Sequence, residues 1–177
     1  MIKIRRIIIG VMGSGKSLNR EDYQRAYQVG ALIAQEGWIL LNGGRASGVM
    51  DASARGAKEH GGLTIGILPV ADPDWASSYI DIPILTGLGL ARNYINVLTS
   101  QVVVALPGGT GTISEVALAL NIGKRVISLN FNLDPLFENY RWEKQLIYAR
   151  TPEEVIELIK NILFGENTPD QEGDHHV

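Results

Sequence analysis

The stretch VVVALPGGTGTISEVALAL, residues 102–120, decides the fold. Its opening run is apolar and β-branched without alternation, as in a strand buried on both faces of a parallel sheet. Pro107 and the glycines at 108, 109 and 111 then end the strand, and a helix-like run follows. Strand, glycine turn and helix make up half of a βαβ unit. The same succession occurs twice earlier. RRIIIGVM (5–12) leads into GSGKS, and GWILLNGG (37–44) leads into RASGVMDA.

Working outward, GLTIGILP (62–69) reads as a third strand, YIDIPILTG (79–87) as a weaker one and RVISLN (125–130) as another. KQLIYAR (144–150) adds a short last strand. Helical patterns fall near 21–36, 48–60, 88–99, 112–122 and 152–164. The last begins with TPEEV, where Thr151 is an N-cap, Pro152 the first helical residue and Glu154 a capping-box partner. This alternation predicts an α/β fold: a single Rossmann-like doubly wound domain over residues 1–165, with a mainly parallel sheet of about six or seven strands and helices on both faces. Residues 166–177 lack apolar periodicity and are expected to form a flexible tail.

Bulk properties exclude several classes. A formal charge of −3 argues against nucleic-acid and membrane-surface binding, which depend on clustered cations. The absence of cysteine excludes disulfides, thiolate catalysis and thiolate metal sites. His60, His175 and His176 have no ligand-like spacing, so neither a structural metal nor a catalytic triad is expected. The apolar runs are too short to span a bilayer, and MIKIRR has no signal-peptide layout, so the expectation is a cytoplasmic protein.

GVMGSGKS (10–17) satisfies the phosphate-loop pattern G-x-x-x-x-G-K-[ST]. A true P-loop starts its helix inside the GKS. Here the apolar stripe Tyr23, Ala26, Tyr27, Gly30, Ile33 and Ala34 extends back only to polar Asn19, itself a good N-cap. No carboxylate ends VVVALPGG or RVISLN to hold magnesium, and neither Asp51 nor Asp81 ends a strong strand. The turn therefore reads as one that lets backbone at Gly13 and Ser14 approach a ligand, with Lys16 as a mobile charge. A P-loop kinase or triphosphatase is the remote alternative.

The other two loops share one design. Gly43, Gly44 and Gly48, and Gly108, Gly109 and Gly111, stand where strands end and helix N-termini point at a ligand, an arrangement suited to phosphate. The plainer explanation is ordinary turns that need glycine. Together, GGRASGVMDASARGA and PGGTGTISE resemble the paired motifs GG-x-x-x-G-hydrophobic-Met and PGG-x-GT-x-x-E of the LONELY GUY-type, or lysine-decarboxylase-like, superfamily, over residues 7 to about 164. The resemblance implies ligand contacts at Gly43, Gly44, Arg45, Gly48 and Met50, and at Gly108, Gly109, Thr110, Gly111 and Thr112.

That superfamily contains nucleoside 5′-monophosphate phosphoribohydrolases and a branch of molybdenum cofactor carriers. The hydrolases carry an Arg fifteen residues ahead of the motif proline and a Glu closing the motif, which correspond to Arg92 and Glu115. They usually have Arg-Lys where this chain has Arg92-Asn93, two Glu where it has Ser114-Glu115, and Tyr where it has Thr110. GGRASGVMDA, TGLGLARNYIN and PGGTGTISE are more similar to the carrier branch. The resemblance thus implies non-covalent binding, storage or transfer of molybdenum cofactor (molybdopterin) as cargo, with a molybdenum insertase or an apo-molybdoenzyme as recipient. The phosphoribohydrolase, with Arg92 and Glu115 as catalysts, is the alternative.

Competing explanations stand beside these roles. Thr112 to Glu115 is also a T-x-x-E capping box, Arg92 could be a solvated charge, and Asp51 could simply complement a helix N-terminus. VALALNIG (116–123) is apolar all round, and with YINVL (94–98) it suggests a surface for a homo-oligomer, a dimer or tetramer.

Overall fold

The computed structural model describes residues 6–165. The expected tail, with His175 and His176, lies outside the described residues.

Among the described residues, seven strands form one sheet: β1 (Ile8–Met12), β2 (Ile39–Asn42), β3 (Thr64–Leu68), β4 (Ile82–Leu85), β5 (Val102–Ala105), β6 (Arg125–Leu129) and β7 (Leu146–Ala149). All neighbours pair in parallel, in the order β4-β3-β2-β1-β5-β6-β7. The chain builds outward from β1 to β4, then returns across the sheet to place β5 on the other side of β1. That reversal opens a crevice beyond the carboxyl ends of β1 and β5, where ligands of such sheets sit.

Six α-helices among the described residues cover the sheet: α1 (Arg20–Gln35), α2 (Gly48–Glu59), α3 (Arg92–Thr99), α4 (Thr110–Asn121), α5 (Asp134–Trp142) and α6 (Pro152–Phe164). Two cores result. Ile9, Val11, Leu40, Val102 and Val104 meet α1, α2 and α6 on one face, while Met12, Leu41, Val103 and Ala105 meet α3 and α4 on the other. The uniform apolar character of β5 follows, since its successive residues face different cores and all four are buried. β4 is the opposite case, an edge strand with all four residues exposed and a proline among them, which is why its sequence signal is weak.

Close packing of α1 on α2 fixes how the two helices lie against each other. A Cβ on Gly30 would run into the Ser53 carbonyl oxygen, and one on Gly56 into that of Tyr27. Each helix therefore supplies a bare surface to the other's backbone. At the ends, Asn19 accepts from the Asp22 amide at 2.8 Å and Thr151 from the Glu154 amide at 3.2 Å, as expected of N-caps. The Glu154 carboxylate reaches Arg150 N–H at 2.7 Å, one residue beyond a standard capping box.

One expectation is corrected, and one helix is new. α4 begins at Thr110, with Gly109 as N-cap, so Thr112 is not the cap. α5 had no counterpart in the sequence reading. It is short, buries no residue fully and departs from helical geometry at Phe137, so it carries no clean apolar stripe.

Candidate functional site

Three glycine loops meet at the sheet's carboxyl edge, and main-chain bonds lace them together. Ser14 donates its N–H to the Pro107 carbonyl at 3.1 Å and accepts at its own carbonyl from Val49 N–H at 2.8 Å. The middle loop can come this close because position 48 has no side chain. Gly48 has φ of 60°, and a Cβ there would strike the Ser14 carbonyl oxygen. Asn42, fully buried at the end of β2, secures the same loop by accepting from Gly44 N–H at 2.8 Å and donating to the Met50 carbonyl at 2.8 Å.

The loops enclose a cavity of about 660 Å³. Gly13, Ser14 and Lys16 line it from the first loop, Gly43, Arg45 and Met50 from the second. The third contributes Gly108, Gly109, Thr110, Gly111 and Thr112, and Arg92 and Glu115 complete the wall. Of the residues singled out in the sequence, Gly44 and Gly48 stand apart. Gly44 packs against Gly66 of β3, and Gly48 lines a smaller neighbouring cavity with Asp51. Helix α1 starts three residues after Ser17, so GSGKS is a loop rather than a P-loop helix start. Lys16 reaches the cavity from that loop with its side chain exposed.

The polar chemistry of the cavity begins with α4. Its first main-chain bond runs from Ile113 N–H to the Gly109 carbonyl, so the amides of Thr110, Gly111 and Thr112 have no acceptor within the helix. A Cβ on Gly109 or Gly111 would meet no protein atom within 4 Å, so neither glycine is required by the protein's own packing. Space for an anion at a helix N-terminus is thus left open.

Arg92, the first residue of α3, is 8% exposed rather than a solvated charge. It donates from Nη1 to the Ile67 carbonyl, while its Nε–H is buried with no partner. Burial pushes its pKa down; the Glu115 charge opposes that and Arg45 adds to it. Glu115 does not reach back to the helix start. It is 7% exposed and accepts from Asn96 Nδ2 at 2.7 Å, which removes the capping-box explanation. Burial raises its pKa to about 6, against the opposing pull of Asn96 and Arg92. Asp51 accepts from Ser77 Oγ at 2.7 Å while also occupying the first turn of α2.

Several participants were not foreseen. Asn96 holds Glu115, Asn93 lines the cavity and donates to Ser114 Oγ at 2.9 Å, and Leu90 forms part of the rim. The available signal was spacing, since Asn96 lies four residues after Arg92 and so on the same helical face. Among the described residues, no cluster of three or more His, Asp or Glu is placed to hold a metal ion, and no helix is long and apolar enough to cross a membrane.

Residues 6–156 match the SLOG cluster4 family. The chain belongs to that family. Its fold is similar to the structure of the molybdenum cofactor binding protein from Rippkaea orientalis, with 53% identity and a TM-score of 0.86, covering 91% of this chain and 99% of that one. The molybdenum cofactor carrier protein of Chlamydomonas reinhardtii shows 43% identity and a TM-score of 0.82, over 90% of this chain and 99% of that one. More distant is the cytokinin riboside 5′-monophosphate phosphoribohydrolase of Mycobacterium marinum, 30% identical over 113 residues, 63% of this chain and 60% of that protein.

Proposed function

We propose that this SLOG cluster4 protein binds a phosphorylated heterocyclic cofactor without consuming it, most concretely molybdenum cofactor as cargo to be stored or handed on. The observation that carries the reading is the open N-terminus of α4, where three amides and two uncrowded glycines border a cavity that also holds Arg45 and Arg92. A cavity of about 660 Å³ suits one such molecule. In this assignment Gly109, Thr110, Gly111 and Thr112 hold the phosphate, and Arg92, Arg45 and Lys16 balance its charge. Backbone at Gly13 and Ser14 faces the ring system, beside Gly43, Met50 and Gly108. The unpartnered Arg92 Nε–H gains an acceptor when the anion arrives.

The names of the relatives at 43% and 53% identity support the same cargo. The recipient is a molybdenum insertase or an apo-molybdoenzyme, met in the cytoplasm. The protein acts as a homo-oligomer, dimer or tetramer, through the face of α3 and α4. Tyr94 is 45% exposed and Leu98 53%, while Leu118 and Ile122 are partly buried beside them. Light scattering at micromolar concentration tests this, and a monomer removes it.

Calorimetric titration with molybdenum cofactor should show saturable binding that weakens in Arg45→Ala; no binding by the unmodified chain overturns the reading. A second reading has one observation in its favour: Arg92 and Glu115, both more than nine-tenths buried, line the same cavity. As a phosphoribohydrolase, the chain would use Arg92 on phosphate or ribose hydroxyls and Glu115 at the glycosidic carbon. Release of free base from nucleoside 5′-monophosphates, abolished by Glu115→Gln, would establish it and displace the carrier.

A further inference from the structure

The Arg45 guanidinium rests on an aromatic ring, not on a carboxylate. Its Cζ lies 5.5 Å from the centroid of Trp75, a residue outside the cavity lining and 48% exposed. Trp75 belongs to the connection between β3 and β4, in a short 3-10 turn (Pro73–Trp75) closed by Asp72 Oδ1 accepting from Asp74 N–H at 3.0 Å. The connection is tied to the second glycine loop. Arg45 and Ala76 form an antiparallel bridge, Ser77 N–H donates to the Gly44 carbonyl at 2.8 Å, and Ser77 Oγ donates to Asp51 at 2.7 Å. The ring is thus fixed to the loop whose arginine it supports.

From this arrangement we infer that Trp75 is a positioning residue for anion binding: its ring holds the Arg45 guanidinium at the cavity mouth and leaves its charge intact. The inference rests on the carrier reading and adds to it a residue outside the cavity wall. The physical case is one of alternatives. A carboxylate partner would fix Arg45 equally well but would neutralise it and compete with an incoming phosphate for the same N–H donors. An indole attracts the cation through its face and takes no N–H donor. An unsupported exposed arginine would instead have to be immobilised when the ligand binds, with loss of side-chain freedom.

A double-mutant cycle tests this, with calorimetry on two probes: molybdenum cofactor and inorganic pyrophosphate, which has no ring. Trp75→Leu should weaken both probes by about two- to fivefold. The loss should disappear in an Arg45→Gln background, and Trp75→Tyr should retain most of the affinity. Thermal melts of each variant check folding, and the same cycle run with Trp75→Gln, which also lacks an aromatic face, keeps the test decisive if the leucine variant is damaged. Equal losses with and without Arg45 overturn the inference, as does full affinity in Trp75→Leu. A loss confined to molybdenum cofactor also overturns it, in favour of direct stacking on the ring. If the unmodified protein binds neither probe, the functional reading falls with it; if both bind and the cycle shows no coupling, only the role of Trp75 falls.

Discussion

Gly111→Ala should make the protein slightly more stable and markedly worse at binding. Gly111 lies inside the first turn of α4 without a positive φ, and an added Cβ meets no protein atom within 4 Å. Replacing a helical glycine by alanine gains about 0.5–1 kcal/mol, with the low end applying so near a terminus. For a domain of this size that raises Tm by about 1–2 °C. The same methyl enters the space through which an anion reaches the Gly111 amide. A hydrogen bond to a charged group contributes about 1.5–3 kcal/mol, so losing it weakens binding by about one to two orders of magnitude. Calorimetry with molybdenum cofactor and a thermal melt on one preparation measure both effects. Gly109→Ala, at the N-cap, should lose affinity without the gain in Tm. A Gly111→Ala protein that binds as tightly as the parent would refute the assignment of phosphate to this turn.

Other substitutions probe the scaffold. Burial raises the Glu115 pKa to about 6, so its neutral form contributes stability that is complete below 4.5 and is lost as pH rises through 6. Urea melts across pH 4–8 should show that fall, about 2 kcal/mol, in the parent and not in Glu115→Gln; matching profiles would contradict it. Gly56→Ala should destabilise by about 1–3 kcal/mol by chemical denaturation despite alanine's better helix propensity, because the added Cβ meets the Tyr27 carbonyl of α1. Lys124→Met should cost about 1 kcal/mol in the same assay, since Lys124 Nζ donates to the Leu98 and Ser100 carbonyls at the end of α3.

The strands and glycine loops could be read directly because each is a local event: β5 is apolar throughout, and Pro107 and Gly108 stop it abruptly. The T-x-x-E pattern misled, because the same four residue types serve as a cap or as the inside of a first turn, and only tertiary contacts decide. Asn96, packed beneath α4, captures the Glu115 carboxylate and settles the matter. Arg92 was ambiguous for a related reason, since burial of a cation depends on what closes over it, here the end of β3 through Ile67. Trp75 left no periodic trace at all. Its part comes from a loop that meets Arg45 thirty residues away in sequence.

The two peptide units flanking the Ser14 Cα face different loops: the first donates its N–H to Pro107, and the second accepts at its oxygen from Val49. Loosening either side strands a main-chain donor or acceptor at the joint, which favours a mouth already cast in one shape before any guest arrives. A mould formed in advance surrenders little loop freedom when the guest enters.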